Sequence, residues 1–128
     1  NVSSVTDMSY MFFNAKIFDY HLSKLEPNII LPKRLNSYTE TFSLYMILCK
    51  KRNKLLKFLN KNGIETKIHY PKPLHLQKAS KILKYKKGDF PTSEYQSLHL
   101  LTLPVHQYLS KNQILYTVKK IKEFYNYG

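Results

Sequence analysis

The sequence predicts an α+β fold, a short mixed sheet covered by helices, on three observations. Residues 42–49 are rich in aromatic and branched side chains, the composition of a strand. Residues 51–62 set Leu55, Leu56, Phe58 and Leu59 on a helical period and end at Asn62 and Gly63. Glycine there relieves the left-handed strain of a helix C-terminus. Ser110 and Gln113 form a capping-box pattern ahead of Ile114, Val118, Ile121 and Tyr125, which share one helical face. Strand and helix periods alternating over one short chain imply a small layer of helices on a sheet.

The remaining elements follow in order. Residues 1–13 are poor in charge and are expected to be poorly anchored. Residues 14–25 suit a short amphipathic helix through Ile17, Leu22 and Leu25. Pro27 and Pro32 bracket an extended piece at 28–31, and 33–40 reads as a polar loop. Residues 64–68 alternate apolar and polar, a short strand. Pro71 and Pro73 forbid regular structure after it and stiffen the loop. Residues 74–83 suit a short helix, and 84–89 a basic turn ending in Gly88 and Asp89. Pro91 fits the first turn of a helix reaching about residue 100, with Asp89 near its positive end. Residues 101–103 read as a brief strand stopped by Pro104. The expected division is therefore 1–25, a loosely attached segment or remnant helix, and 26–128, the folded domain.

A chain of 128 residues suits one domain, which buries roughly two thirds of its unfolded surface. No apolar run approaches the ~20 residues of a membrane span, and residues 1–13 lack a signal-peptide pattern. Asn1 in place of an initiator Met suggests a fragment. Cys49 stands alone, which excludes an internal disulfide and a multi-cysteine zinc site. Its apolar neighbours mark it as an inert buried thiol, in keeping with a cytoplasmic setting. The net charge of +13 invites a nucleic-acid or membrane-surface reading. Against it, Lys outnumbers Arg 19 to 2 and the lysines are scattered over every segment, whereas base and phosphate recognition favours Arg. A basic, non-enzymatic binding module or a degenerate gene remnant stays open as the alternative. Anionic ligands such as diphosphates still feel the positive field.

Most site chemistries are excluded by spacing. His69 and His75 lie six apart, which is no common zinc spacing, and no metal site is expected. The eight acids are spread along the chain, so no carboxylate pair forms locally, and three glycines are too few for a phosphate loop. What remains is the loop carrying His69, Tyr70, Lys72 and His75 on a proline-stiffened backbone. Such a loop loses little entropy on binding. A plain turn with partly buried His and Tyr is the alternative.

At this loop the sequence resembles a known family. Residues 62–77 (NGIETKIHYPKPLHLQ) are similar to the C-terminal signature of the DegT/DnrJ/StrS family, pyridoxal-phosphate-dependent aminotransferases of nucleotide-linked keto sugars. Residues 85–91 (YKKGDFP) resemble the family's segment before its penultimate helix, and 103–110 (LPVHQYLS) its late strand and last helix cap. Leu44, Tyr45, Lys51, Arg52, Asn53 and Leu59 fit the strand and helix upstream, so the resemblance runs from about residue 26 to 126. It implies the small C-terminal domain of the type I pyridoxal-phosphate fold, working as a homodimer in polysaccharide biosynthesis. Glutamate would donate the amino group. The family's His-Tyr pair falls on His69 and Tyr70, which would hold the nucleotide-sugar substrate, with His75 nearby. No lysine here lies in a segment matching the family's lysine motif. The Schiff-base lysine and the cofactor cup are therefore expected outside this chain, which alone should neither bind pyridoxal phosphate nor catalyse. Residues 2–12 (VSSVTDMSYMF), with Ala15, Phe18, Leu22 and Ser23, are also similar to one unit of a bacterial-surface-type leucine-rich repeat. A single unit cannot bury its own apolar face.

Overall fold

The central strand, β2 (Tyr45–Cys49), buries Tyr45, Ile47 and Cys49 on one face and half-buries Met46 and Leu48 on the other, the alternation a strand imposes. In this computed structural model, which describes residues 9–33 and 43–126, β1 (Ile29–Ile30) and β3 (Leu100–Leu103) flank it. Ile29 faces Cys49, Tyr45 faces Leu103, and Ile47 faces Leu101. Among the described residues the sheet is antiparallel throughout, not mixed as expected. Residues 1–8 and 34–42 lie outside the described residues. With them go residues 1–8 of the loose start expected at 1–13, most of the polar loop at 33–40, and Phe42 of the expected strand; residues 9–13 are helical.

Among the described residues four helices cover the sheet: α1 (Ser9–Leu22), continued by a 3-10 turn at Ser23–Leu25, then α2 (Arg52–Lys61), α3 (Pro91–His99) and α4 (Lys111–Phe124). The capping box is formed as read: Ser110 Oγ accepts from the Gln113 amide at 3.3 Å, and Gln113 Oε1 accepts from the Ser110 amide at 2.8 Å. Ile114, Val118 and Ile121 are buried beneath it, and the Tyr125 hydroxyl donates to the Lys50 carbonyl. Gly63 closes α2 at φ +75°, the left-handed conformation its position predicts.

Two expected elements are weaker than their patterns. The strand at 64–68 reduces to one antiparallel bridge, Lys67 with Thr102. The next pair of such a ladder would set Glu65 against Pro104, which has no amide proton to donate, and the Thr66 amide and hydroxyl both turn to Asn60 Oδ1, at 3.0 and 2.9 Å. The helix at 74–83 is two 3-10 turns, Leu74–Leu76 and Lys78–Leu83, broken at an extended Gln77. Neither buries a residue or has a side-chain cap, so nothing stabilises a longer helix there.

The N-terminal helix is the larger correction. Ala15, Phe18 and Leu22 are fully buried in the common core, and the Phe18 ring lies 5.0 Å from that of Tyr45. The Tyr45 hydroxyl donates to Asp19 at 2.6 Å. Asn14, also buried, donates to the His106 and Leu109 carbonyls at 3.3 and 3.1 Å. Residues 14–25 are thus built into the domain and not loosely attached. The three positions that the repeat resemblance claims at 15, 18 and 22 are one face of this helix.

Cys49 is buried, its Sγ 3.5 Å from the His99 carbonyl. Burial pushes the thiol up to about 12, slightly opposed by the Arg52 charge. At pH 8 an ordinary thiol near 8.5 is ionised to about a fifth or more, while this one is ionised to about one part in ten thousand. A thiol reagent should therefore label the folded chain roughly a thousandfold more slowly than the chain in denaturant. Comparable rates in the two states would contradict the burial.

Candidate functional site

The site grows from the Lys67–Thr102 bridge, whose two backbone bonds, 3.2 and 2.9 Å, tie the end of the 64–68 segment to β3. Alternation puts Thr102 on the face of β3 opposite Leu101 and Leu103, where its Oγ1 lies 2.7 Å from His69 Nδ1. Arg52 holds the start of β3 from the other side. Its buried guanidinium donates from Nη1 to the Leu100 carbonyl at 2.9 Å, and burial draws its pKa down.

Beyond His69 the chain turns sharply. Tyr70 takes φ +58°, a left-handed conformation that costs a non-glycine residue about 1 kcal/mol or more. Its ring is 70% exposed, so burial returns little of that cost. Backbone strain at an exposed aromatic is the kind of feature that persists for function. Pro71 then fixes the exit. The His69 and Tyr70 rings lie 6.4 Å apart, and the corner stands on the surface, with the loop's prolines holding it there.

Two clefts meet at His69. One, about 290 Å³, is bordered by Glu65, Lys67, Thr102 and His106. There Lys67 is spent on Glu65 at 2.8 Å, and that hydrogen bond raises the lysine and lowers the carboxyl. The other, about 250 Å³, is bordered by Tyr70, Lys72, Ser93 and Gln96 and includes no carboxylate. Beside the apolar Pro73, Leu74 and Leu100, its lining offers a phenol, an ammonium, a hydroxyl, an amide and an imidazole as hydrogen-bond donors. This second cleft suits an anion rich in acceptor oxygens.

His75 is not part of that lining. Its side chain is 7% exposed, with Nε2 3.0 Å from Glu94 Oε1 and its ring 4.8 Å from that of Phe90. The same carboxylate oxygen accepts from the Gly88 amide at 2.7 Å. His75 instead takes part in a clamp that joins the 74–76 turn, the 85–90 loop and α3. Sequence reading missed Thr102 and Glu94. The only local signal for the first was a threonine among the leucines of β3.

The clamp has a pH signature. The Gly88 amide is the main reason the Glu94 carboxyl sits below its ordinary value; His75 and the Phe90 amide add to it, against desolvation. A depressed folded pKa gives stability that is present above the unfolded value near 4.3 and lost as pH falls through the folded one. The melting temperature of the parent should thus fall more steeply below pH about 4.5 than that of Glu94→Gln. Parallel curves from pH 6 to 3 would contradict the clamp.

The fold recurs in an aminotransferase of the DegT/DnrJ/EryC1/StrS type from Brucella abortus, with a TM-score of 0.81, 29% identity, and coverage of 92% of this chain and 31% of that one. The profile of the DegT/DnrJ/EryC1/StrS aminotransferase family matches residues 12–122, and the chain belongs to that family. The match starts inside α1, so residues 12–23 belong to the aminotransferase domain and leave nothing to support a repeat unit. The pleiotropic regulatory protein of Geobacillus stearothermophilus is 38% identical over 99 residues, 77% of this chain and 27% of that protein. The dTDP-3-amino-3,4,6-trideoxy-alpha-D-glucose transaminase of Streptomyces venezuelae is 29% identical over 98 residues, 77% of this chain and 26% of its own. The chain spans about a quarter of the length of the curated relatives it matches.

Proposed function

We propose that this chain is the C-terminal part of a pyridoxal-phosphate-dependent aminotransferase that moves an amino group, from glutamate, onto a nucleotide-linked keto sugar. The observation that carries the reading is the strained, exposed Tyr70 beside His69 on a donor-lined cleft free of carboxylates, in a chain of this family. His69, Tyr70 and Lys72 hold the substrate's diphosphate or sugar oxygens and orient it. When bound to the whole enzyme, the cofactor supplies the electron sink and the amino carrier. The setting is cytoplasmic and the working assembly a homodimer.

The lysine that carries the cofactor lies, on this reading, outside the chain. A lysine poised for imine chemistry is desolvated, with its pKa drawn down. The described lysines do not fit: none is buried, and the two with a resolved shift, Lys67 and Lys120, are raised by Glu65 and Glu123. Added to the chain alone, pyridoxal phosphate should give no stable visible band and no lysine adduct after borohydride reduction. A single stoichiometric adduct would overturn the assignment. Substituted for the matching segment of the S. venezuelae transaminase, the chain should support amino transfer.

A further inference from the structure

Among the described residues the Thr102 hydroxyl has one partner, His69 Nδ1 at 2.7 Å, and Thr102 is 7% exposed. Its backbone amide and carbonyl are both held by Lys67, and it stands opposite Met46 in the middle of the sheet. The hydroxyl is therefore fixed in place, and only its proton is free to choose.

Two arrangements close a bond of that length. If Nδ1–H donates to Oγ1, the threonine proton is left buried with no acceptor among the described residues, the disfavoured outcome for a buried donor. If Oγ1–H donates to Nδ1, the buried threonine proton is satisfied and Nε2, on the far side of the ring from that bond, carries the ring's own proton. We propose that Thr102 is a positioning residue: by donating to Nδ1 it fixes His69 as a neutral Nε2–H donor aimed at the cleft. This rests on reading His69 as part of the substrate site and adds its polarity. The corner takes a hydrogen-bond acceptor, an anionic phosphate oxygen, and disfavours ligands that present a donor there. Tyr70 and Lys72 in the same lining are donors too, so the three act on one class of group.

Long-range nitrogen–proton correlation spectra of the whole chain test this, with Thr102→Val and Thr102→Ser alongside and inorganic pyrophosphate as the probe. The parent and Thr102→Ser should show His69 protonated on Nε2 with Nδ1 shifted as a hydrogen-bond acceptor, and Thr102→Val should lose that Nδ1 shift. Pyrophosphate, followed at the His69 ring, should bind Thr102→Val about fivefold more weakly than the parent and Thr102→Ser within about twofold, the scale of one neutral hydrogen bond. A proton on Nδ1 in the parent, or an Nδ1 shift unchanged by valine, overturns the inference. The tautomer measurement does not need a ligand. A parent that ignores pyrophosphate while showing the expected tautomer refutes the substrate-site reading and leaves the positioning bond standing. Should Thr102→Val fail to fold, the parent tautomer still decides.

Discussion

Replacing Phe18 by Ala is expected to lower the stability of the chain by about 3–5 kcal/mol, the usual loss for a fully buried aromatic. The ring has no exposure, stacks at a tilt on Tyr45 at 5.0 Å, and shares its core with Leu22, Ile47 and Ile121. Truncation loses the transfer free energy of the ring and leaves a void between α1 and the sheet that neighbours only partly fill. Domains of this size are stable by about 5–15 kcal/mol in all, so one side chain carries a large share. Phe13, on the same helix but 54% exposed, is the control. Its replacement by Ala should change stability by no more than about 0.5 kcal/mol. Urea unfolding of both variants separates the cases. A loss under about 1 kcal/mol at Phe18 would return residues 14–25 to the loosely attached segment that the sequence suggested.

That segment shows where local pattern stops being informative. Spacings of three and four between positions 15, 18 and 22 define an apolar helical face whatever covers it, and a repeat unit offers the same residues to a different partner. Only the packing of α1 against α4 and Tyr45 decides, and neither is near in sequence. Where the signal is local, the reading transfers directly. The aromatic and branched run of β2, the Asn62–Gly63 stop and the Ser110 capping box each involve residues a few positions apart; the stop and the cap are formed as read, and the strand over 45–49 of the expected 42–49. The failures have physical causes of the same kind. Residues 64–68 have the alternation of a strand, but the ladder stops after Lys67 because its next pair would set Glu65 against Pro104, which has no amide proton. His75 sits six positions from His69, close enough to pass for a second ligand. It was lost to Glu94, 19 residues away, whose carboxylate also holds the Gly88 amide. The bond from Thr102 to His69 spans 33 residues, and no period or cap announces it. The corner itself was legible because prolines act on their neighbours' backbone. Its handedness at Tyr70 was not, since nothing local asks a tyrosine for φ +58°.

The corner carries the second large effect. In a chimera of this chain with the rest of the S. venezuelae transaminase, the pair His69→Ala and Tyr70→Phe should weaken binding of the dTDP-linked amino sugar about a hundredfold. Each substitution removes one donor from an anionic oxygen, worth about 1.5–3 kcal/mol for a charged partner. Contacts in one site add imperfectly, which brings the pair toward the lower end, and 2.7 kcal/mol corresponds to about a hundredfold. Stability should fall only modestly, by about 1–3 kcal/mol, because His69→Ala leaves the buried Thr102 hydroxyl without its partner among the described residues, while Tyr70 keeps its ring and is 70% exposed. The two readouts together distinguish a binding corner from a turn that merely needs its side chains to fold. Unchanged affinity with an intact melting temperature would place the substrate elsewhere. Lost affinity together with a collapsed melting temperature would make the corner part of the scaffold. Only a large loss of affinity with no more than that modest loss of stability fits a strained loop whose cost to the fold is offset by what it holds.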